Sequence, residues 1–80
     1  MTDELAEKIK AAIRHNLIDL RIENDMTQTD VGKLVGRSKT AVASWEQGLA
    51  TPDITTLYRL SVYYGRTLNY MMGVEEDANS

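Results

Sequence analysis

The sequence predicts an all-α fold, five helices gathered on one core. Three observations predict it. Apolar residues recur at three- and four-residue spacing, and no segment alternates with period two for long enough to argue a strand. Side chains suited to starting a helix (Thr27, Ser38, Asp53, Thr67) alternate with glycines suited to ending one (Gly36, Gly48, Gly65, Gly73). The chain has 80 residues, and a chain so short buries only about 60% of the surface its unfolded form exposes, which supports a single core.

The first helix runs from Asp3 to about Asn24, with Leu5, Ile9, Ile13, Leu17 and Leu20 on one face. Asp3, Glu4 and Glu7 suit the positive end of its dipole, and Lys8, Lys10, Arg14 and Arg21 follow on later turns. Asn24 and Asp25 end it, because both tolerate turn or left-handed geometry. Thr27 caps the second helix, Gln28 to about Val35, with Asp30 completing a capping box in place of the usual Glu or Gln. Gly36 stops that helix in a left-handed conformation, and Ser38 caps a third helix that reaches Gln47 and closes at Gly48. In Thr51-Pro52-Asp53 the proline punctuates the loop and Asp53 is the better cap, so a fourth helix is expected from about Ile54 to Tyr64. Thr67 caps a short fifth helix, Leu68 to Met72, before Gly73. Residues 1–73 are thus expected to form the domain and residues 74–80 a polar acidic tail.

Composition excludes several classes. The chain has no cysteine, so neither disulfides nor a thiolate metal site hold it together. His15 is the only histidine and has no ligating company, which makes it a solvated or partly packed helix residue and leaves no expected metal or cofactor. The apolar runs fall far short of the roughly 18 residues of a membrane span, and MTDELAEK is not a leader, so a cytoplasmic protein is expected. No nucleophile–base arrangement or phosphate-cradling glycine loop supports catalysis. The formal net charge of −3 is the wrong sign for binding polyanions by bulk charge. The acids gather at the ends, however, and Lys33, Arg37 and Lys39 exceed Asp30 and Glu46 between Thr27 and Gly48.

That stretch, TQTDVGKLVGRSKTAVASWEQG, breaks one helix and begins another within Val35-Gly36-Arg37. Two helices joined by a short glycine-containing turn form the helix-turn-helix, in which the first helix crosses the DNA backbone and the second enters the major groove. Further residues narrow the assignment: LIDLR before the motif, MTQTDVGKLVG and SKTAVASWEQG within it, and TPDITTLYRLSVYYGRTLNYMMG after it. From Leu17 to Gly73 the chain resembles the helix-turn-helix family of phage repressors and Cro proteins, also called the xenobiotic-response-element family. The resemblance implies a compact five-helix, lambda-repressor-like DNA-binding domain with its motif at about residues 28–47.

It also implies roles. The base-reading positions fall on Lys39, Thr40 and Ser44, which offer donors to guanine, a hydroxyl or methyl to thymine, and a donor or acceptor respectively. Gln28 takes the phosphate-contacting position at a helix N-terminus, with Thr27, Ser38, Gln47 and Arg37 as further phosphate contacts. Gly32 stands where the family keeps a very small residue because the motif helices cross there. Val31, Val35, Val42 and Trp45 face inward toward Leu17, Leu20, Ile54, Leu57, Leu60, Tyr64 and Leu68, and Arg21 with Glu46 forms a structural ion pair behind the motif. Arg37 and Arg66 depart from the family's apolar residue after glycine; their stems are expected to cover core edge with the charge in water. The loop Gly48-Leu49-Ala50-Thr51 lacks the basic residues many relatives aim at the backbone. Met71, Met72 and Val74 are expected to be half core and half surface, with a dimer contact as a lesser alternative.

The resulting expectation is a sequence-specific, double-stranded-DNA-binding transcriptional regulator, a repressor acting as a homodimer on an inverted repeat. A protein-interaction module, antitoxin-like or an anti-regulator domain, is the competing expectation.

Overall fold

A computed structural model describes residues 3–74. It contains five helices: α1 (Glu4–Glu23), α2 (Gln28–Val35), α3 (Lys39–Gln47), α4 (Ile54–Tyr64) and α5 (Leu68–Met71). There is no strand among the described residues. The acidic tail expected over 74–80 lies outside them from Glu75 onward.

Each start and stop has a local cause. Asp3 accepts the Ala6 N–H at 3.1 Å and caps α1, whose end turns through Asp25 at φ 54°. Thr27 and Asp30 form the reciprocal box, Thr27 Oγ1 accepting from Asp30 N at 3.0 Å and Asp30 Oδ2 from Thr27 N at 2.9 Å. Ser38 and Thr67 cap α3 and α5 by accepting from Ala41 N and Tyr70 N. Asp53 is different. It occupies the cap position of α4 but makes no capping bond, because its carboxylate accepts instead from the Thr56 hydroxyl and from Arg37.

The core is Ile13, Leu17 and Leu20 of α1, Val31 and Val35 of α2, Val42 and Trp45 of α3, Leu57 and Leu60 of α4, and Met71 of α5. Tyr64 and Leu68 pack against it partly buried, and burial pushes the Tyr64 hydroxyl up to about 12. Three packing expectations are corrected. Leu5 is 67% exposed, since the packing of α1 on the core begins one turn later, at Ile9. Ile54 is 60% exposed because it sits one turn before the core-facing set of α4, at the end of that helix. Met71 is wholly buried, which makes it core and removes it as a dimer contact, while Met72 is half-buried and Val74 exposed. α5 ends one residue earlier than expected, at Met71. Asn16 of α1 fastens that end by donating to the carbonyls of Tyr70 and Met71 at 2.9 and 3.2 Å. Gly73, at φ +70°, lies so close to Ala12 that a side chain there would collide with it.

Candidate nucleic-acid interface

The corner between α2 and α3 is built from backbone. Gly36 adopts φ +67°, and the N–H groups of Gly36 and Arg37 both turn back to the carbonyl of Gly32, the latter at 2.8 Å. A β-carbon on Gly32 would overlap the carbonyl oxygen of Arg37. The small residue is therefore required by the backbone of the turn, which is the part that sets the second helix against the first.

α3 divides into two faces. Val42 and Trp45 are buried, while Thr40, Ser44 and Gln47, at i, i+4 and i+7, lie along the other side with Lys39 beside them at the first turn. Lys39, Thr40 and Gln47 are exposed and Ser44 is half-buried. Ser38 spends its hydroxyl on Ala41 N, which leaves the first two N–H groups of α3 without a capping side chain. The box at Thr27 does the same for α2, where the N–H groups of Gln28 and Thr29 are left over.

Behind these faces lies a charged network. Arg21 grips Glu46 with two bonds, Nε to Oε2 at 2.7 Å and Nη2 to Oε1 at 2.9 Å, and its Nη1 donates to the Met26 carbonyl at 3.0 Å. Glu46 is 8% exposed and the Arg21 side chain 20%. The bonds to Glu46 hold the Arg21 guanidinium charged above its ordinary range, against the opposing effect of burial. Gln28 joins the network, its Nε2 donating to Glu46 Oε1 at 3.1 Å. The expected Arg21–Glu46 pair is thus present, and one N–H of the Gln28 amide is committed to it.

Arg37 is not simply a solvated charge over the core edge. Its Nη2 donates to Asp53 Oδ1 at 3.1 Å and to Thr56 Oγ1 at 3.4 Å, tying the turn to the start of α4. The Thr56 hydroxyl, and after it Arg37, hold the Asp53 carboxyl below the usual carboxylate range. Arg66 stacks over the Tyr70 ring at 4.9 Å. His15 pairs with Asp19 at 3.1 Å on the exposed side of α1.

Sequence reasoning missed two of these links. Arg14 donates from Nε to the Glu46 backbone carbonyl at 2.8 Å; its position seven residues, two turns, before Arg21 was the available signal. The Asp53–Thr56 half of the grip on Arg37 is a local contact at three-residue spacing, whereas Arg37 joins it from 16 residues away and had no sequence signal.

A family model described as Helix-turn-helix matches residues 17–71. The cryptic phage CTXphi transcriptional repressor RstR of Vibrio cholerae is 34% identical over 47 residues, covering 59% of this chain and 42% of the relative. The chain therefore spans less than half the length of the curated relative it matches. No solved structure matches significantly.

Proposed function

The chain belongs to the helix-turn-helix family, and on that premise we propose that it is a sequence-specific, double-stranded-DNA-binding transcriptional regulator, a repressor that acts as a homodimer on an inverted repeat. The observation that carries this is the division of α3: Lys39, Thr40, Ser44 and Gln47 on the outer side, with the opposite side seated in the core by Val42 and Trp45. A helix anchored on one side and polar on the other is what enters a major groove. In this reading residues 1–73 are the DNA-binding unit. Lys39, Thr40 and Ser44 meet base edges, and Thr27, Gln28, Ser38 and Gln47 meet phosphates with the free N–H groups of the two helix starts. Arg37 meets a phosphate through the Nε and Nη1 donors that its bonds to Asp53 and Thr56 do not use. The similar Vibrio phage protein is named a transcriptional repressor, which favours repression by occupancy of the site. One half-site offers few contacts, so two copies on half-sites about 34 to 36 Å apart complete the complex. The compartment on this reading is the cytoplasm.

Selection on random duplex DNA tests the proposal directly, and two variants test its orientation. Gln28→Ala is expected to weaken all sites alike, because phosphates carry no sequence information. Lys39→Ala is expected to relax preference at one position per half-site, a good base contact being worth about 1 to 3 kcal/mol of discrimination. The opposite pattern at fixed salt overturns the docking orientation.

One observation favours a second reading. Leu34 of α2 and Tyr58, Val62 and Tyr63 of α4 are exposed together along a groove of about 550 Å³ that also contains Arg59. Such a face suits a protein-interaction module of the antitoxin or anti-regulator kind. An interaction module yields no enriched sequence in the same selection.

A further inference from the structure

We infer that Arg14, on α1, is a DNA-phosphate contact at the far end of α3, supplying the cation that the following loop lacks. The inference rests on the DNA-binding reading above and adds to it a site outside the helix-turn-helix.

The recognition helix poses an electrostatic problem at its end. Nine residues at about 1.5 Å each make α3 roughly 13 Å long, close to the roughly 12 Å width of the major groove. A helix whose first turn reads bases therefore ends near the phosphates of the groove wall. That end carries the negative pole of the helix dipole, which repels phosphate. The last turn of α3 contains no basic residue. Neither does the loop Gly48-Leu49-Ala50-Thr51, whose first three N–H groups are spent on carbonyls of α3.

Arg14 lies where the missing charge is needed. Its Nε donates to the Glu46 carbonyl at 2.8 Å, and its side chain lies so near Gly48 that a β-carbon there would stand 3.3 Å from Arg14 Cδ. Anchored by Nε, the guanidinium presents its two Nη groups, which have no hydrogen-bonding partner among the described residues. Arg14 borders a cleft of about 180 Å³ that is lined also by Glu7, Lys10, Gly48, Ala50 and Thr51. Gln47, expected at a phosphate, adjoins this cleft in sequence. Lys10, one turn before Arg14, lies 3.9 Å from Glu7 and is partly neutralised by it. Arg14 is thus the group that carries the site. Its planar fork suits phosphate oxygens, and the bond already made by Nε holds it in place before DNA arrives.

The test is fluorescence anisotropy on the selected duplex over a salt series of about 50 to 300 mM, well below the melting temperature of every variant. Arg14→Gln is expected to lower affinity by about tenfold at low salt, equally for all single-base variants of the site. It is also expected to flatten the log–log salt slope by about one per half-site. Arg14→Lys keeps the charge and is expected to retain most of the slope. Glu7→Gln is expected to raise affinity. A purely structural brace lowers thermal stability without changing the slope, because the slope counts neutralised phosphates, so an unchanged slope for Arg14→Gln overturns the inference while leaving the proposed function standing. If the wild-type chain binds no duplex at all, both fall together.

Discussion

Replacing Glu46 with alanine removes the carboxylate that three donors share. Arg21 loses bonds of 2.7 and 2.9 Å, Gln28 one of 3.1 Å, and the guanidinium keeps only the Met26 carbonyl. With its side chain 20% exposed, Arg21 recovers some water but not full hydration. Breaking a fully buried pair costs about 3 to 5 kcal/mol, and a hydrogen bond to a charged group is worth about 1.5 to 3 kcal/mol. For this partly wetted pair the loss is expected near 2 to 3 kcal/mol. In a domain of this size each kcal/mol moves the midpoint by about 4 to 8 °C, so thermal unfolding followed by circular dichroism is expected to shift down by about 10 to 20 °C. Arg21→Ala is expected to cost a similar amount, since it strands the carboxylate instead. The double variant Arg21→Met/Glu46→Leu is expected to recover most of the loss, because apolar packing needs no partner. If Glu46→Ala melts within about 2 °C of the wild type, the pair is not what ties α1 to the end of α3 and the reasoning fails.

Two further outcomes follow from the corner and the caps. Gly32→Ala is expected to destabilise the fold in urea titration despite a helix-propensity gain of about 1 kcal/mol. The atom in the way is the Arg37 carbonyl oxygen, a rigid backbone group, and overpacking of that kind typically costs about 1 to 3 kcal/mol. On acidification, Asp30 and Asp53 are the groups to watch, both held below the usual carboxylate range, Asp30 first by the Thr27 N–H and Asp53 first by the Thr56 hydroxyl. A lowered folded-state pKa contributes stability that is full above the ordinary carboxylate value near 4 and is lost as pH falls through the folded value. The urea midpoint is expected to drop as pH falls below about 4.5, and Asp30→Ala to flatten that limb; an unchanged limb counts against the capping box as its source.

Much of this protein is local chemistry and was legible as such. The helix limits follow from side chains that bond to backbone within three residues, as Thr27 does with Asp30 and Ser38 with Ala41, and from the left-handed Gly36, Gly48 and Gly65. The two faces of α3 follow from periodicity. The Arg21–Glu46 pair follows from family register.

What the tertiary structure decided is wherever a side chain had a choice of partners across space. Periodicity marks Leu5 and Ile54 as apolar-face residues, yet burial needs another element opposite, and neither has enough of one. Asp53 has the composition of a cap, but Arg37, brought in from the turn after α2, and the Thr56 hydroxyl take its carboxylate in place of a backbone N–H of α4. Gln28 and Arg37 looked free to meet phosphate, and the fold gives each an acid first. Arg14 looked like one more surface cation until α3 ended beside it. Local bonds close loops of three or four residues and are encoded where they act. Bonds such as Arg14 to Glu46 close a loop of about thirty residues, whose entropy is offset only by the whole core, so no short stretch of sequence specifies them.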